Sequence, residues 1–314
     1  MKKLNLAHIP VLKKETIKSL NIKKNGTYID CTFGCGGHTT EILKYLNEKG
    51  KLYAIDKDPS SINIAHAIKD NKFHMISGNF SNVLKNLRET HVMKKIDGIL
   101  LDLGISSMQI HNSYRGFSFL SDEPLDMRMN PKIGITASKW LFKSNAKSIS
   151  QVLYKFGEEY FAKKIANKIV QQNKIKPITK TTELVDLIKK IVPKRKKHPA
   201  TKTFQAIRIH INQELDELKK ALKYALELLA PGGRLAIISF HSLENRIVKK
   251  FFIENSKMPF IPSGIAISET QLNYLKKTTL KIISKIVPTQ IEINNNPRSR
   301  SAILRVSEKR GTNE

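Results

Sequence analysis

The sequence contains very little cysteine. Only Cys31 and Cys35 occur in 314 residues, and no second pair of cysteines or histidines stands at a spacing typical of a metal site. A disulfide framework is therefore excluded, and we predict no bound metal. We interpret both cysteines as packed thiols in a reducing compartment.

Long apolar runs are also missing. No stretch of 18 apolar residues occurs, and the opening residues (MKKLNL) lead into polar sequence rather than the apolar segment of a signal peptide. We therefore expect a cytoplasmic protein without a membrane partner. Hydrophobic residues make up 40% of the chain and charged residues 26%, which is typical of a globular protein. The length suits one domain with an insert, or two domains.

Acidic residues are scarce beside basic ones. The chain has 55 Lys and Arg against 27 Asp and Glu, a net charge of +28, which favours a polyanionic partner such as nucleic acid. Most cations are lysine and accompany abundant isoleucine and asparagine, as A/T-biased codon usage would produce in any protein. The location of the positive charges is therefore more informative than their total number. Residues 193–205 concentrate Lys194, Arg195, Lys196 and Lys197, which would either track a phosphate backbone or form a solvated loop.

A glycine-rich turn follows the first predicted strand, at residues 28–30. Three glycines occur between Gly34 and Gly37, and a helical pattern with hydroxyls available to cap it begins at Thr39. A dinucleotide fingerprint would need glycine or alanine at Thr39, so the spacing disfavours NAD and favours S-adenosylmethionine (AdoMet). Asp30 suits the cationic amino acid half of AdoMet. Asp56 ends the next strand 20 positions after Gly36, where ribose hydroxyls are normally bound.

Predicted strands and helices alternate along most of the chain. The further strands are expected at residues 51–56, 73–80, 96–104, 235–240 and 301–306. Alternation of this kind is typical of a doubly wound, mostly parallel α/β sheet, in which ligands bind at the carboxyl ends of the strands. The residues expected to converge there are Asp30, Asp56, Phe80, Asp102 and 239–241.

Far more chain than one crossover needs separates Asp102 from the helix predicted at 214–229. We predict helices at 150–173 and 182–192 in this interval. Beyond the fifth strand, we predict a loop-rich segment at 252–287. The expected domains are a cofactor-binding domain (1–105 and 213–314) and an inserted, mainly helical substrate-recognition domain (106–212). A long insert beside a ligand crevice is more often functional than decorative.

Seven motifs together resemble the RsmH (MraW) family of small-subunit rRNA (cytosine-N4)-methyltransferases. They are residues 30–38 (DCTFGCGGH), 97–104 (DGILLDLG), 115–119 (RGFSF), 124–128 (PLDMR), 198–208 (HPATKTFQAIR), 239–244 (SFHSLE) and 296–300 (NPRSR). The resemblance runs from His8 to about Arg305. It implies a class I AdoMet-dependent methyltransferase that modifies the exocyclic N4 amine of a cytidine in the decoding region of small-subunit ribosomal RNA.

The resemblance also assigns site residues. By position, the AdoMet contacts of the family fall on Gly36, Gly37, His38, Asp56, Phe80, Asp102 and Gln109. Cys35 and Met108 depart from residues common in the family, which bears on local loop shape. The implied partner is small-subunit rRNA or the small ribosomal subunit, and a homodimer is left open, as is the exact nucleotide.

Two assignments keep alternatives. Asp102 either orients the cytosine amine as a catalytic residue or holds the cofactor, and we expect the cofactor role first because the two prolines of related amino-methyltransferases are missing after it. Tyr114, Arg115, Phe117 and Phe119 either form a stacking surface for a splayed-out base or pack the insert.

Three other functions compete with this prediction. A DNA amino-methyltransferase of the same fold would be expected to carry those prolines and a second target-recognition region. A ribosome-assembly factor would bind RNA and keep AdoMet only as a structural ligand; loss of the glycine loop or of Asp56 would favour it, but both are intact. An NAD-dependent dehydrogenase is disfavoured by the glycine spacing.

Overall fold

The computed structural model describes residues 10–90, 95–112, 114–193, 198–257, 268 and 279–311. It divides the chain into two compact units. The first unit comprises Met1–Gly104 and Asp216–Glu314, and the second comprises Ile105–Leu215.

The first unit contains a seven-stranded sheet. Its strands are β1 (Thr27–Asp30), β2 (Lys51–Asp56), β3 (Phe73–Ser77), β4 (Ile96–Asp102), β5 (Leu229–Ser239), β6 (Leu280–Ile286) and β7 (Ile303–Lys309). The strand order is β3-β2-β1-β4-β5-β7-β6, and only the pairings that involve β7 are antiparallel. The order reverses between β1 and β4, which makes the edge beyond their carboxyl ends the expected ligand site. This confirms the predicted doubly wound, mostly parallel sheet of a class I methyltransferase.

Helices cover both faces of this sheet. They are α1 (Lys13–Leu20), α2 (Gly37–Leu43), α3 (Pro59–Ala65), α4 (Phe80–Glu89), most of α11 (Glu214–Leu228), α12 (Ser242–Ser256) and a short helix at Gln290–Asn295. Alternation along the strands decides which helices pack where. Tyr28 and Leu100 share a buried cluster with α1, whereas Ile29 and Leu101 share another with α11. Lysines on α1 and on α11 therefore belong to opposite faces of the sheet.

The second unit is helical. Its helices are α5 (Ser107–His111), α6 (Ala137–Lys143), α7 (Ala146–Gly157), α8 (Ala162–Ile175), α9 (Thr181–Lys189) and α10 (Thr201–Asn212). They enclose a hydrophobic core of their own that includes Trp140, Ile165 and Phe204.

The single helix predicted at 150–173 is wrong, because the chain breaks between α7 and α8. Glu158 adopts a left-handed conformation (φ 50°) and its N–H donates to the carbonyl of Tyr154. A Cβ on Gly157 would lie 2.6 Å from the carbonyl oxygen of Lys202 at the start of α10. The close approach of that backbone explains the glycine, and a glycine at a helix C-terminus is a common stop signal.

The segment predicted to be loop-rich, 252–287, is wrong at both ends. Helix α12 continues to Ser256, and β6 occupies Leu280–Ile286 at the edge of the sheet. Leu280 is buried, whereas Lys281 and Ile282 are exposed. An edge strand packs along part of its surface only, so its sequence lacks the continuous apolar run that identified the central strands.

Within the described ranges, no helix combines the length and apolarity that crossing a membrane requires.

Candidate active site

Three aspartates end neighbouring strands at one edge of the sheet. Asp30 ends β1, Asp56 ends β2 and Asp102 ends β4. Asp30 is in register with Ala54 of β2 and with Leu100 of β4, so the carboxyl ends of the three strands lie side by side. The structure thus brings together three carboxylates at the point where the strand order reverses.

The glycine loop joins β1 to α2 beside these carboxylates. Gly36 precedes α2 with φ 77°, and a Cβ there would lie 2.8 Å from the Phe33 ring. A Cβ on Gly37 would lie 2.3 Å from Cγ of Pro10. Both positions therefore require glycine, the first for its backbone conformation and both for close packing.

The expected hydroxyl cap of α2 is wrong. The helix begins at Gly37 with Gly36 as its N-cap, which has no side chain, so Thr39 and Thr40 lie inside it; the hydroxyl of Thr39 donates to Oδ2 of Asp30 (2.7 Å) and that of Thr40 to the carbonyl of Gly36. The first turn of α2 therefore keeps backbone N–H groups that no side chain caps.

Asp56 is held rigidly by backbone donors. Its Oδ2 accepts the N–H of Gly34 (2.8 Å) and its Oδ1 accepts the N–H of Asp58 (2.9 Å). Burial raises the pKa of this carboxyl, while the two backbone hydrogen bonds oppose the rise. Each carboxylate oxygen can accept more than one hydrogen bond, so Asp56 fixes the glycine loop and still has acceptor capacity for a ligand.

His38 lies between Asp102 and the buried Asp30. The His38 side chain is 5% exposed, and its Nε2 lies 3.5 Å from Oδ2 of Asp102. Burial lowers the pKa of His38, but Asp102 and Asp30 outweigh this effect and raise the pKa overall; Lys13 acts weakly against them. Burial also raises the pKa of Asp30, whose oxygens accept from Thr39 and from the N–H of Thr32. The result is a pair of titratable groups at the carboxyl end of β4, a buried His38 and a partly exposed Asp102.

Asp102 presents one oxygen without a partner. Its backbone N–H donates to Oγ1 of Thr32 (2.7 Å), which fixes the strand end against the glycine loop. Its Oδ1 is buried and, within the described part of the chain, accepts no hydrogen bond. An unpaired buried acceptor is costly, so this atom indicates a ligand donor at the site.

Phe80 does not end β3, contrary to the prediction. The strand stops at Ser77, and Phe80 is the first residue of α4 after the N-cap Asn79. Its ring is half-buried against the core on the α11 side of the sheet. The strand pattern ran on to Phe80 because its apolar side chain packs against that core from the helix.

Gln109 belongs to the second unit and completes a capping box there. Its side chain accepts from the N–H of Ser106, and its own N–H donates to the Ser106 hydroxyl. The described contacts thus show a role in starting α5.

The four residues of the candidate stacking surface differ in exposure. Arg115 is 6% exposed and donates to the carbonyls of Arg128 and Met129, and Phe117 is buried in the core of the second unit. Phe119 stacks on His198. Tyr114 is 77% exposed. The burial of Arg115 and Phe117 favours a packing role for both. Tyr114 is exposed and therefore accessible to a base. Lys194, Arg195, Lys196 and Lys197 lie outside the described residues.

The profile of the MraW methylase family matches residues 5–310, which is nearly the whole chain. The chain belongs to the MraW methylase family. Membership confirms the prediction of an RsmH (MraW) methyltransferase, an enzyme whose cofactor is S-adenosylmethionine.

Two relatives of this MraW-family chain carry the name Ribosomal RNA small subunit methyltransferase H. The protein of Buchnera aphidicola subsp. Acyrthosiphon pisum (strain APS) is 58% identical over 96% of this chain and 97% of its own length. The protein of Buchnera aphidicola subsp. Baizongia pistaciae (strain Bp) is 57% identical over 98% of each chain.

Similarity to solved structures is weaker. The N-methyltransferase NodS from Bradyrhizobium japonicum WM9, in complex with S-adenosyl-L-homocysteine, has a TM-score of 0.38 and 9% identity, with 95% of this chain and 85% of that chain covered. The fold assignment of this MraW-family chain therefore rests on its own strand order.

Sequence reasoning missed the two threonines that organise the site. Thr32 anchors the backbone of Asp102, and Thr39 anchors the side chain of Asp30. Their only sequence signal is position, since each stands within a few residues of the glycines. A hydroxyl in such a loop more often caps the following helix, which is why Thr39 was expected to do so.

Proposed function

We propose that this MraW-family enzyme transfers the methyl group of AdoMet to the exocyclic N4 amine of a cytidine in the decoding region of small-subunit ribosomal RNA. The observation that carries the proposal is the identity of 57–58% over nearly full length to relatives named for small-subunit rRNA methylation. The glycine loop and the three carboxylates described above are intact in this chain, which supports a catalytic rather than a vestigial site.

The residues present fit AdoMet. Gly36 and Gly37 offer bare backbone beside the N-terminus of α2, and Asp56 is a rigid, anionic acceptor suited to a pair of ribose hydroxyls. Phe80 is assigned to the cofactor by resemblance, and the residue is only partly buried. Gln109 is assigned by resemblance alone. AdoMet supplies an activated methyl group, so the protein mainly has to align donor and acceptor.

Asp102 is the residue that meets the charged end of the cofactor. Its Oδ1 is buried and accepts no hydrogen bond from the described residues, so a donor on the cofactor would satisfy it, and Nε2 of His38 lies 3.5 Å from Oδ2. A cationic ammonium group of the cofactor is the donor that an anionic, buried oxygen binds best. The alternative donor is the cytosine amine. Its lone pair becomes more localised on nitrogen when its N–H groups donate hydrogen bonds to the carboxylate.

We assign RNA recognition to the inserted segment, residues 106–212. Tyr114 offers an accessible ring for a base, and Lys194, Arg195, Lys196 and Lys197 supply charge for phosphates in the sequence. The partner in this proposal is small-subunit rRNA or the assembled small ribosomal subunit, and a homodimer is left open. The same proposal places the enzyme in the cytoplasm.

Transfer of a labelled methyl group from AdoMet tests the function. Small-subunit RNA, assembled small subunits and duplex DNA are offered separately, and the modified nucleosides are identified by mass spectrometry. N4-methylcytidine in the RNA or the subunits supports the proposal. Label in DNA would favour the DNA amino-methyltransferase, whereas RNA binding without label would favour the assembly factor.

A further inference from the structure

Helices α1 and α2 enclose an open cleft on the first unit, whose lining includes none of the three aspartates of the candidate site. Its volume is about 390 Å³. It is lined by Lys13, Lys14, Ile17, Lys18, Asn21, Ile22, Glu41 and Tyr45. All of these residues come from one short part of the chain, so the cleft is complete within the first unit.

One wall of the cleft is cationic. Lys14 and Lys18 stand four residues apart on α1, which places them on the same side of the helix, and both are exposed. Lys13 joins them and lies 3.4 Å from Glu41, which also pairs with Lys44 at 3.0 Å. Among the lining residues, Lys13, Lys14 and Lys18 are therefore balanced by one carboxylate, that of Glu41, which also pairs with Lys44. The lining keeps a positive charge.

The opposite wall carries an aromatic ring. Tyr45 follows α2 and is 50% exposed, so part of its side chain is accessible to a base. Ile17 is buried beneath the cleft and Ile22 is partly buried. A cationic wall, an apolar floor and an accessible ring are the combination with which proteins bind single-stranded nucleic acid: lysines neutralise phosphates and the ring stacks on a base.

We propose that this cleft binds a single-stranded stretch of the RNA substrate, with Lys14 and Lys18 on phosphates and Tyr45 against a base. The inference rests on the proposed RNA methyltransferase function and adds an RNA contact on the cofactor-binding unit. A lysine-rich composition alone would scatter cations evenly over the surface. The cleft differs because three lysines and an exposed tyrosine line one concave space.

A charge variant with a matched control tests the lysines. Lys14→Gln with Lys18→Gln removes two charges from the cleft. Lys219→Gln with Lys223→Gln removes two exposed charges at the same spacing on α11, on the opposite face of the sheet. Binding of a fluorescently labelled single-stranded RNA oligonucleotide is measured by anisotropy over a series of salt concentrations, together with AdoMet binding by calorimetry.

The cleft variant should bind RNA roughly tenfold more weakly at about 0.15 M salt, with a salt slope reduced by about 0.7 for each lost contact. Tyr45→Ala should weaken binding at least about fivefold without changing the slope, because stacking carries no charge. The control pair and all AdoMet affinities should stay at the wild-type level. Acetylation of Lys14 and Lys18 should slow when RNA is present, whereas that of Lys219 and Lys223 should not.

Equal RNA affinities for the cleft and control variants would overturn the inference, as would unchanged acetylation of Lys14 and Lys18. Wild-type methylation of small-subunit RNA separates this failure from failure of the proposed function. If the wild type methylates RNA and the cleft variant binds it normally, only the cleft assignment is wrong.

Discussion

At the scale of single residues, three carboxylates have different surroundings and therefore different tasks. Asp30 is buried and bonded within the protein, Asp56 is fixed by backbone N–H groups, and Asp102 alone leaves a buried oxygen without a partner among the described residues. The sequence predicted all three at the strand ends, because a doubly wound sheet makes that edge common to them. It assigned Asp30 to the cofactor, which stays a prediction; in the structure Asp30 is 1% exposed, and its two oxygens accept hydrogen bonds from Thr32 and Thr39.

Asp56→Ala should weaken AdoMet binding. Two hydrogen bonds to a charged acceptor are worth roughly 1.5–3 kcal/mol each, so calorimetry should show a loss of at least about tenfold. Asp216→Ala removes an exposed carboxylate on α11 and should leave the affinity unchanged. Unchanged affinity in the Asp56 variant would remove this residue from the cofactor site.

Asp102→Asn separates the two roles open to this residue. Asparagine keeps the size but loses the charge, and it presents a donor where the carboxylate had an acceptor. We expect weaker AdoMet binding, and a single-turnover rate of methyl transfer that is largely intact at saturating cofactor. Normal affinity with a rate reduced about a hundredfold would assign Asp102 to the cytosine amine instead.

His38 should make stability depend on pH. Its pKa is raised in the folded protein by Asp102 and Asp30, against the effects of burial and Lys13. Protonated His38 therefore stabilises the fold fully below its unfolded pKa of about 6.5, and this contribution is lost as the pH rises through the raised folded pKa. The difference in free energy of unfolding between the wild type and His38→Gln, from urea denaturation, should shrink as the pH rises above about 6.5. A difference that stays constant or grows would contradict the ion pair.

At the scale of elements, strongly patterned segments were predictable and boundaries set by tertiary contacts were not. The central strands were predictable because both of their faces are buried, which gives their sequences a nearly continuous apolar run. The break after α7 depends on the approach of α10 to Gly157, and the position of Phe80 depends on where β3 stops. A local signal stands at each place, Gly157 in the first and Gly78 with Asn79 in the second, but the apolar periodicity continues past it and carried the predicted helix and strand too far.

The glycine loop gives an element-scale prediction. Gly36→Ala forces a residue with a Cβ to φ 77° and brings that carbon to 2.8 Å from the Phe33 ring. The left-handed conformation alone costs about 1–2 kcal/mol, so urea denaturation should show at least that loss, and AdoMet binding should also weaken. Gly311→Ala is the matched control, because a Cβ there meets no atom within 4 Å. Equal stability of the two variants would mean that the loop adapts freely.

At the scale of the whole molecule, the net charge of +28 was the least specific signal in the sequence. Composition alone could not show whether the many lysines reflect A/T-biased codon usage or an RNA-binding surface. The seven motifs made this distinction, because their glycines, carboxylates and insert segments occur in a fixed order over nearly the whole chain. The α1–α2 cleft was not predictable, since its walls become neighbours only when α2 packs beside α1.

Charge in the insert can be tested directly. Replacing Lys194, Arg195, Lys196 and Lys197 with alanine should weaken RNA binding and flatten its salt slope by up to about 0.7 for each lost phosphate contact. AdoMet affinity, measured by calorimetry on the same variant, should not change. If the RNA affinity also stays the same, these four residues form a solvated surface only.

The most direct measurement of the central claim is a map of methylated cytosines in small-subunit ribosomal RNA from cells that produce the protein and cells that lack it. We expect one cytosine in the decoding region that carries an N4-methyl group only when the protein is present, and that loses it when Asp56→Ala replaces the wild type. Identical maps with and without the protein, or a protein-dependent methyl group on another base or on DNA, would contradict it.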